Sequence, residues 1–340
     1  MKLAIHNGKD KQVSWNTRWI DYCEKNNIPY IGVDCYAPDI IDTLKKEQVT
    51  HLMWAFSLAL PKDHIMAKSV MNAADEMGIK TFPNFRNRWH FEDKIAQKYV
   101  LEAIDAPVVR SWTFYDRPKA EAFAETATYP IVAKLRKGAG SKNVVLLHTK
   151  KEALQYIRKM FSVGLSPAQS FSSFSKEKAS AVLKSKRSLS LSVIWRKMKN
   201  ALQRRRMFTN EVGYVYFQEF LPGNTNDLRI AVVGERIWGF HRGVRKNDFR
   251  ASGSGIIDYE TPLPPEMLKV SYEITKRLGT QSLCFDYVKA PDGSYKIVEI
   301  CYGYVSEAIY KCNGYWDSDL KFHEAHLMPD ECILQDFIKE

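Results

Sequence analysis

Several absences narrow the class of this chain before any motif is read. Its six cysteines (Cys23, Cys35, Cys284, Cys301, Cys312, Cys332) contain no Cys-x-x-Cys pair and no histidine at ligand spacing. That argues against a zinc site and suits the unbridged thiols of a reducing cytosol. No apolar run approaches the roughly 20 residues of a membrane span; the longest, 52–60, is less than half of it. Met1-Lys2-Leu3-Ala4-Ile5 passes straight into polar residues, so no signal peptide is predicted and a cytoplasmic protein is expected. No Gly-x-Gly-x-x-Gly occurs, which removes the dinucleotide fingerprint. Acidic residues are in the minority, 39 against 50 Lys and Arg in 340 residues.

What is present is a globular composition: 45% hydrophobic, 26% charged and 12% aromatic. Such a chain of this length predicts two or three domains. The net charge of +11 is local. Residues 176–206 hold eleven bases and one acid, Glu177, which leaves the remaining chain near neutral. A whole-fold nucleic-acid footprint is therefore not indicated.

Along the first 90 residues, short strand-like runs at 2–7, 29–34, 51–56 and 79–83 alternate with segments of helical spacing such as Trp15, Trp19, Ile20 and Cys23. This predicts an α/β unit with a small parallel sheet. From about 91 the pattern becomes α+β. Helices are predicted at 91–104, 117–127, 150–160 and 265–278, with strands at 108–115, 130–136, 144–148, 214–221, 228–233 and 236–241. A hairpin of 282–288 and 295–301 ends the series. Residues 162–192 carry eleven serines, the composition of a solvated insertion. Beyond it Leu191, Ile194, Trp195, Met198, Ala201 and Leu202 recur at helical steps among bases, predicting a cationic amphipathic helix.

The hairpin carries the sharpest chemistry. Asp292-Gly293 favours a two-residue turn, and that register sets Asp286 opposite Glu299. Facing carboxylates about 5 Å apart repel unless a cation or proton lies between them. A Mg²⁺ shared with phosphates would remove the conflict. The same repulsion predicts that neutralising either acid leaves metal-free stability equal or higher. A solvated acidic face is the alternative, and spacing alone leaves both open. Lys134 inside the apolar strand 130–135 needs a partner, and it precedes the glycine loop Gly138-Ala139-Gly140-Ser141. His241, Arg242, Arg245 and Arg250 gather before Ser252-Gly253-Ser254-Gly255, after Asp227-Leu228-Arg229. Cations near a carboxylate pair suit a metal–triphosphate site; a solvated basic loop is the alternative.

Taken in order, Glu92-Asp93-Lys94-Ile95-Ala96, 131–134 with its loop, Gln218-Glu219-Phe220-Leu221, Asp227-Leu228-Arg229, Asp248-Phe249-Arg250-Ala251-Ser252-Gly253, and Asp286 with Val298-Glu299-Ile300 resemble the ATP-grasp superfamily. The likeness looks closest to members associated with capsule and surface-polysaccharide gene clusters, and the closing stretch from Gly314 to Glu324 is similar to theirs. It implies an ATP-grasp domain at 91–340, with a lid subdomain at about 128–220 that carries the basic Ser-rich insertion 162–210. It also implies a Rossmann-like pre-ATP-grasp domain at 1–90. By the same resemblance Lys94 and Lys134 would bind ATP phosphates under a loop of Gly138, Gly140 and Ser141. Gln218, Glu219, Phe220 and Leu221 would be the adenine hinge, with Glu219 or Asp227 near the ribose. Arg229 and Arg250 would neutralise the transferred phosphoryl group, and Asp286 and Glu299 would hold Mg²⁺. Cys301 stands where the family has a third, asparagine ligand, and a thiol is a poor partner for a hard cation.

The implied activity is an ADP-forming carboxylate–amine ligase acting through an acylphosphate, on a glycan or small-molecule acid. A phosphotransferase on the same fold is the runner-up, and a non-catalytic nucleotide- or membrane-binding module the third reading. The cationic segment suits an anionic inner membrane surface. Packing of its apolar side onto the lid ranks above that, and nucleic acid ranks last.

Overall fold

A computed structural model describes residues 1–7, 14–57, 62–138, 143–167, 209–245 and 248–339, without the side chain of His64. The Ser-rich insertion beyond 167, the expected cationic helix at 191–208, and Gly140 and Ser141 lie outside the described residues.

The strands in chain order begin with β1 (Leu3–His6), β2 (Tyr30–Val33), β3 (His51–Met53), β4 (Lys80–Phe82) and β5 (Ser111–Phe114). Then come β6 (Ile131–Lys134), β7 (Val144–Leu147), β8 (Val215–Glu219), β9 (Asn226–Val233) and β10 (Arg236–Gly243). The last are β11 (Ile257–Asp258), β12 (Ser282–Lys289), β13 (Tyr295–Cys301), β14 (Tyr315–Trp316) and β15 (Phe322–His323). The α-helices are α1 (Trp15–Lys25), α2 (Ile40–Lys46), α3 (Lys68–Glu76), α4 (Phe85–Arg88) and α5 (Lys94–Ala103). They continue with α6 (Arg117–Thr126), α7 (Lys150–Met160), α8 (Pro265–Leu278), α9 (Ser306–Tyr310) and α10 (Pro329–Phe337).

Contacts divide the chain into two units: Met1–Phe91 with Leu101–Pro107 and Gly223–Glu340, and Glu92–Val100 with Val108–Pro222. In the first unit β2-β1-β3-β4 form a parallel sheet, the α/β pattern its sequence predicts. A seven-stranded sheet runs β13-β12-β9-β10-β14-β15, with β11 on β10. Alternation assigns its faces. Ala231, Val233, Trp238, Phe240 and Cys284 enter one core with Leu3, Ile5 and Trp54 of the parallel sheet and Ile333 and Phe337 of α10. The other face meets α8, where the Ser271 and Tyr287 hydroxyls lie 2.8 Å apart. Gly279 ends α8 at φ 65, a left-handed cap that glycine adopts without a Cβ penalty.

In the second unit β5-β8-β6-β7 form an antiparallel sheet. Ile131, Ala133, Val215 and Phe217 pack on Ala120 and Ala124 of α6 and Ala153 and Ile157 of α7. Asp116 caps α6 by accepting the Lys119 N–H, and Thr149 caps α7 at Glu152. The short strands β11, β14 and β15 and helix α10 were not predicted. Their positions are fixed by tertiary contacts; the Trp19 indole, for example, donates to the Asp330 carbonyl at 2.7 Å.

Another feature without a sequence signal holds the first unit together. Arg88 is fully buried and its guanidinium meets acceptors on α3, on β4 and on the residue that follows β4. It donates to Asn72 Oδ1 at 2.8 Å, Thr81 Oγ1 at 2.9 Å, the Pro83 carbonyl at 2.8 Å and the Met71 carbonyl at 3.3 Å, and pairs with Asp75. Removing it leaves several buried acceptors without a donor, each costing about 1–3 kcal/mol, besides the one-third-exposed Asp75 carboxylate, for a total of about 3–5 kcal/mol. We predict that Arg88→Met lowers the unfolding free energy by that amount in urea titrations, and that Arg88→Lys fails to rescue it because the planar fork is lost. A loss below about 1 kcal/mol would contradict the assignment.

Candidate active site

The charged constellation of the first unit is a product of strand register. Glu299 is the direct partner of Asp286, Asp286 of Arg229, and Asp227 of Arg242. Residues two apart share a face, so Glu299, Asp286, Arg229, Asp227 and Arg242 line one side of β13-β12-β9-β10.

The Asp286–Glu299 pairing arises by a different route from the one the sequence predicts. The hairpin loop is not the two-residue turn at Asp292-Gly293. Ala290 donates to the Ser294 carbonyl at 2.7 Å and Gly293 to the Ala290 carbonyl at 2.9 Å, with Gly293 at φ 86. This is a three-residue loop closed by a left-handed glycine, and it pairs Lys289 with Tyr295. A bulge between Asp286 and Tyr287 then shifts the register back, so that Asp286 meets Glu299.

The electrostatics also depart from the expectation. Arg229 grips Asp286 bidentately, Nε to Oδ1 at 2.8 Å and Nη2 to Oδ2 at 2.9 Å. Arg242 Nη2 reaches the same Oδ2 at 2.8 Å. Arg242 also binds Asp227, Nε to Oδ1 at 2.8 Å and Nη2 to Oδ2 at 2.5 Å. Guanidinium groups thus supply countercharge at Asp286, and no group of three or more His, Cys, Asp or Glu suited to a metal occurs among the described residues. The expected gain in metal-free stability on neutralising Asp286 is corrected accordingly. Burial raises the Asp286 carboxyl, but Arg229 and Arg242 outweigh it and hold it well below the usual carboxylate range. Burial pushes Asp227 up despite Arg242, and the nearby Asp286 adds to the rise. Arg250, the other expected phosphate ligand, binds Asp248 with Nε to Oδ1 at 2.8 Å and Nη2 to Oδ2 at 2.9 Å. Arg242, one of the cations expected near the carboxylate pair, is placed by the structure on Asp227 and Asp286, a pairing the sequence does not announce. Counting back from the β9–β10 turn at Gly234-Glu235 would have placed it opposite Asp227.

The second unit carries a buried polar strip. Register places Lys134 opposite Tyr216 and Val132 opposite Gln218, on the opposite face of the sheet from Ala133 and Phe217. Lys134 Nζ donates to Gln218 Oε1 at 2.6 Å, and Gln218 Nε2 donates to Ser111 Oγ at 3.1 Å. The Tyr216 hydroxyl reaches Ser111 Oγ at 3.0 Å. Gln218 therefore anchors Lys134 by its side chain, and Ser111 and Tyr216 are additions that strand pairing alone reveals. Beyond it Glu219 is exposed, and Phe220 and Leu221 are half-buried. Lys94 is also buried; its Nζ donates to the Gly138 carbonyl at 3.0 Å, while Glu92 Oε2 accepts the Gly138 N–H at 3.1 Å. Gly138 lies at φ 128, and a Cβ there would fall 2.8 Å from Asn143 Nδ2, so glycine is required.

The two aspartates titrate in opposite directions. Asp286, depressed in the fold, supports stability above the ordinary carboxyl pKa, and that support is lost only as pH falls through its lower folded value. Asp227, raised, opposes folding when ionised and is relieved on acidification. We predict that carboxyl ¹³C NMR of the metal-free protein shows Asp227 protonating before Asp286. Asp286→Asn is predicted to cost about 3–5 kcal/mol of stability, because half-buried Arg229 loses its bidentate partner and buried Arg242 one of its two carboxylates. The reverse titration order, or a variant as stable as the wild type, would contradict this electrostatic account.

No family model matches this chain, and no curated protein matches it in sequence. Solved structures do match. One is the D-cycloserine synthetase DcsG, at TM-score 0.58 and 11% identity, covering 99% of this chain and 100% of that one. Another is the ATP-grasp ligase PsnB complexed with minimal precursor, Mg and ADP, at TM-score 0.54 and 12% identity over 99% and 97%. A third is the biotin carboxylase domain of the Hydrogenobacter thermophilus 2-oxoglutarate carboxylase with MgADP, at TM-score 0.55 and 12% identity. There the match covers 90% of this chain and spans 64% of that domain. At these identities the likeness speaks for architecture alone: the chain has the ATP-grasp fold.

Proposed function

We propose that this protein is an ATP-dependent, ADP-forming ligase that joins a carboxylate to an amine. The observation that carries the reading is the register-built row of Glu299, Asp286 and Arg229, flanked by Arg242. PsnB, with the same fold, is described with Mg and ADP. Carboxylates in tandem with fixed guanidinium groups suit phosphoryl transfer, where positioning and charge neutralisation do most of the catalysis.

The donor set fits Mg²⁺. This ion takes one or two carboxylates and completes its shell with water and phosphates. Asp286 and Glu299 would hold it, and the Asp286 oxygens retain acceptor capacity beside their three guanidinium contacts. Bound there, the ion would neutralise phosphate charge. Lys94 and Lys134 would bind phosphates, with Gln218 fixing the Lys134 ammonium and Gly138 leaving room for the loop backbone. Glu219, Phe220 and Leu221 would flank the base, and Gly140 and Ser141 would belong to the loop over the phosphates. Arg229 and Arg250 would exchange their carboxylates for the transferred phosphoryl group, which leaves an acylphosphate for the amine to attack. The acid would be a small molecule, a peptide or, by the resemblance to capsule-associated proteins, a surface glycan. Residues 176–206 would bring the enzyme to an anionic membrane face.

A second reading, nucleotide binding without ligation, is favoured by one observation: Cys301 occupies the position of an oxygen ligand. The two separate by stoichiometry, since only a ligase releases phosphate in proportion to added amine. We predict that MgATP raises the melting temperature of the wild type. Ligand at a hundred times Kd adds about 2.7 kcal/mol, so the shift is readily read. Lys134→Met is expected to abolish it with the circular dichroism spectrum unchanged. Glu299→Gln is expected to abolish its dependence on Mg²⁺. A full shift in Lys134→Met would overturn the nucleotide assignment.

A further inference from the structure

The register that sets Asp286 against Glu299 also sets Cys284 against Cys301, one side-chain step away on the same face. Direct partners in an antiparallel pair have Cα atoms about 4.5–5.5 Å apart. Disulfides span Cα separations of about 4.4–6.8 Å, so the register alone brings these cysteines within bridging reach. Their side chains share surroundings as well. Cys284 belongs to the buried core cluster of the first unit, and Cys301 packs against that cluster. All six cysteines are thiols in this structure. Cys301 is half-buried, and its Sγ accepts the Gly303 N–H at 3.3 Å. Cys284, by contrast, is 3% exposed. Cys301 is thus the more exposed of the two, while burial pushes the Cys284 thiol up to about 11, so the first step falls to Cys301 and the second, slower one to Cys284.

We propose that Cys284 and Cys301 are a reversible thiol-oxidation site that closes to a cross-strand disulfide beside the carboxylate pair. The oxidant class is a small-molecule disulfide such as oxidised glutathione. Cys301 sulfur attacks one glutathione sulfur, giving a mixed disulfide; one glutathione leaves and takes up the thiol proton. Cys284 sulfur then attacks Cys301 sulfur, forming the protein disulfide and expelling the second glutathione with the remaining proton. The protein loses two electrons and two protons, and one oxidised glutathione becomes two reduced molecules. A bridge tied across two β-strands carries strain, and strained disulfides are the readily reduced, regulatory ones.

The consequence for activity rests on the ligase reading. Glu299 is two residues from Cys301 and Asp286 two from Cys284, so closing the bridge re-aims both acids. Changes next to metal ligands cost about 10–100-fold in affinity.

The test uses the full chain in glutathione buffers of increasing oxidised fraction, followed by alkylation, proteolysis without reductant and mass spectrometry. The expected product is a linked peptide pair containing Cys284 and Cys301, absent from Cys284→Ser, restored to two thiols by dithiothreitol. Recovery of both residues alkylated at the most oxidising ratio, or linkage to another cysteine, would overturn the proposal. Calorimetry of MgATP binding is run in parallel on reduced and oxidised protein. Reduced protein that fails to bind MgATP overturns the ligase reading and leaves the disulfide result standing. Binding of equal strength in both states overturns the coupling of the bridge to the site. Cys284→Ser is expected to bind MgATP as the reduced wild type does, and to ignore oxidant.

Discussion

A single carboxylate held by two guanidinium groups organises the chemistry of this protein. Asp286 lies in the interior of a sheet where an isolated charge is untenable, and Arg229 and Arg242 make its ionised form the stable one. Arg242 is itself buried and Arg229 half-buried, so withdrawing Asp286 takes from Arg229 its bidentate partner and from Arg242 one of its two carboxylates. Arg242 also pairs with Asp227, whose carboxyl burial nevertheless raises, with the nearby Asp286 adding to the rise. The row is rigid because it is written into strand pairing, and rigidity is what charge stabilisation of a transferring group demands.

In the second unit the corresponding problem is solved differently. Lys134 sits in a strand whose other face is core, and a neutral amide, Gln218, receives its ammonium. The amide oxygen fixes where that ammonium sits. Lys94 is held in a similar way by the Gly138 carbonyl, at a loop whose backbone only glycine can follow.

Much of this was legible in the sequence. Helices 150–160 and 265–278 begin and end where their caps and glycine place them, because local signals and tertiary packing agree there. The pairing of Asp286 with Glu299 could be read from the turn, yet for an incomplete reason: loop length and bulge each shift the register by one, and the shifts offset. A bulge has no reliable local signature, so neither could be read alone. That Arg229 and Arg242 close on Asp286 was not legible, for another reason. Their contact spans strands separated by the long excursion from 243 to 282, and spacing along the chain says nothing of it. Arg88 is the extreme case, a buried arginine in a polar stretch whose acceptors are mostly backbone carbonyls and a neighbouring helix.

The central claim is that this chain uses ATP to activate a carboxylate. Positional isotope exchange tests it most directly. ATP carrying ¹⁸O in the β–γ bridge is incubated with Mg²⁺ and a panel of small carboxylic acids, N-acetylated amino acids and N-acetylated peptides, with no amine acceptor added. Reversible acylphosphate formation frees the β-phosphate to rotate, so the account predicts that the label migrates to non-bridging positions only when a fitting acid is present. Nucleotide that binds tightly yet keeps its label in the bridge with every acid would contradict it.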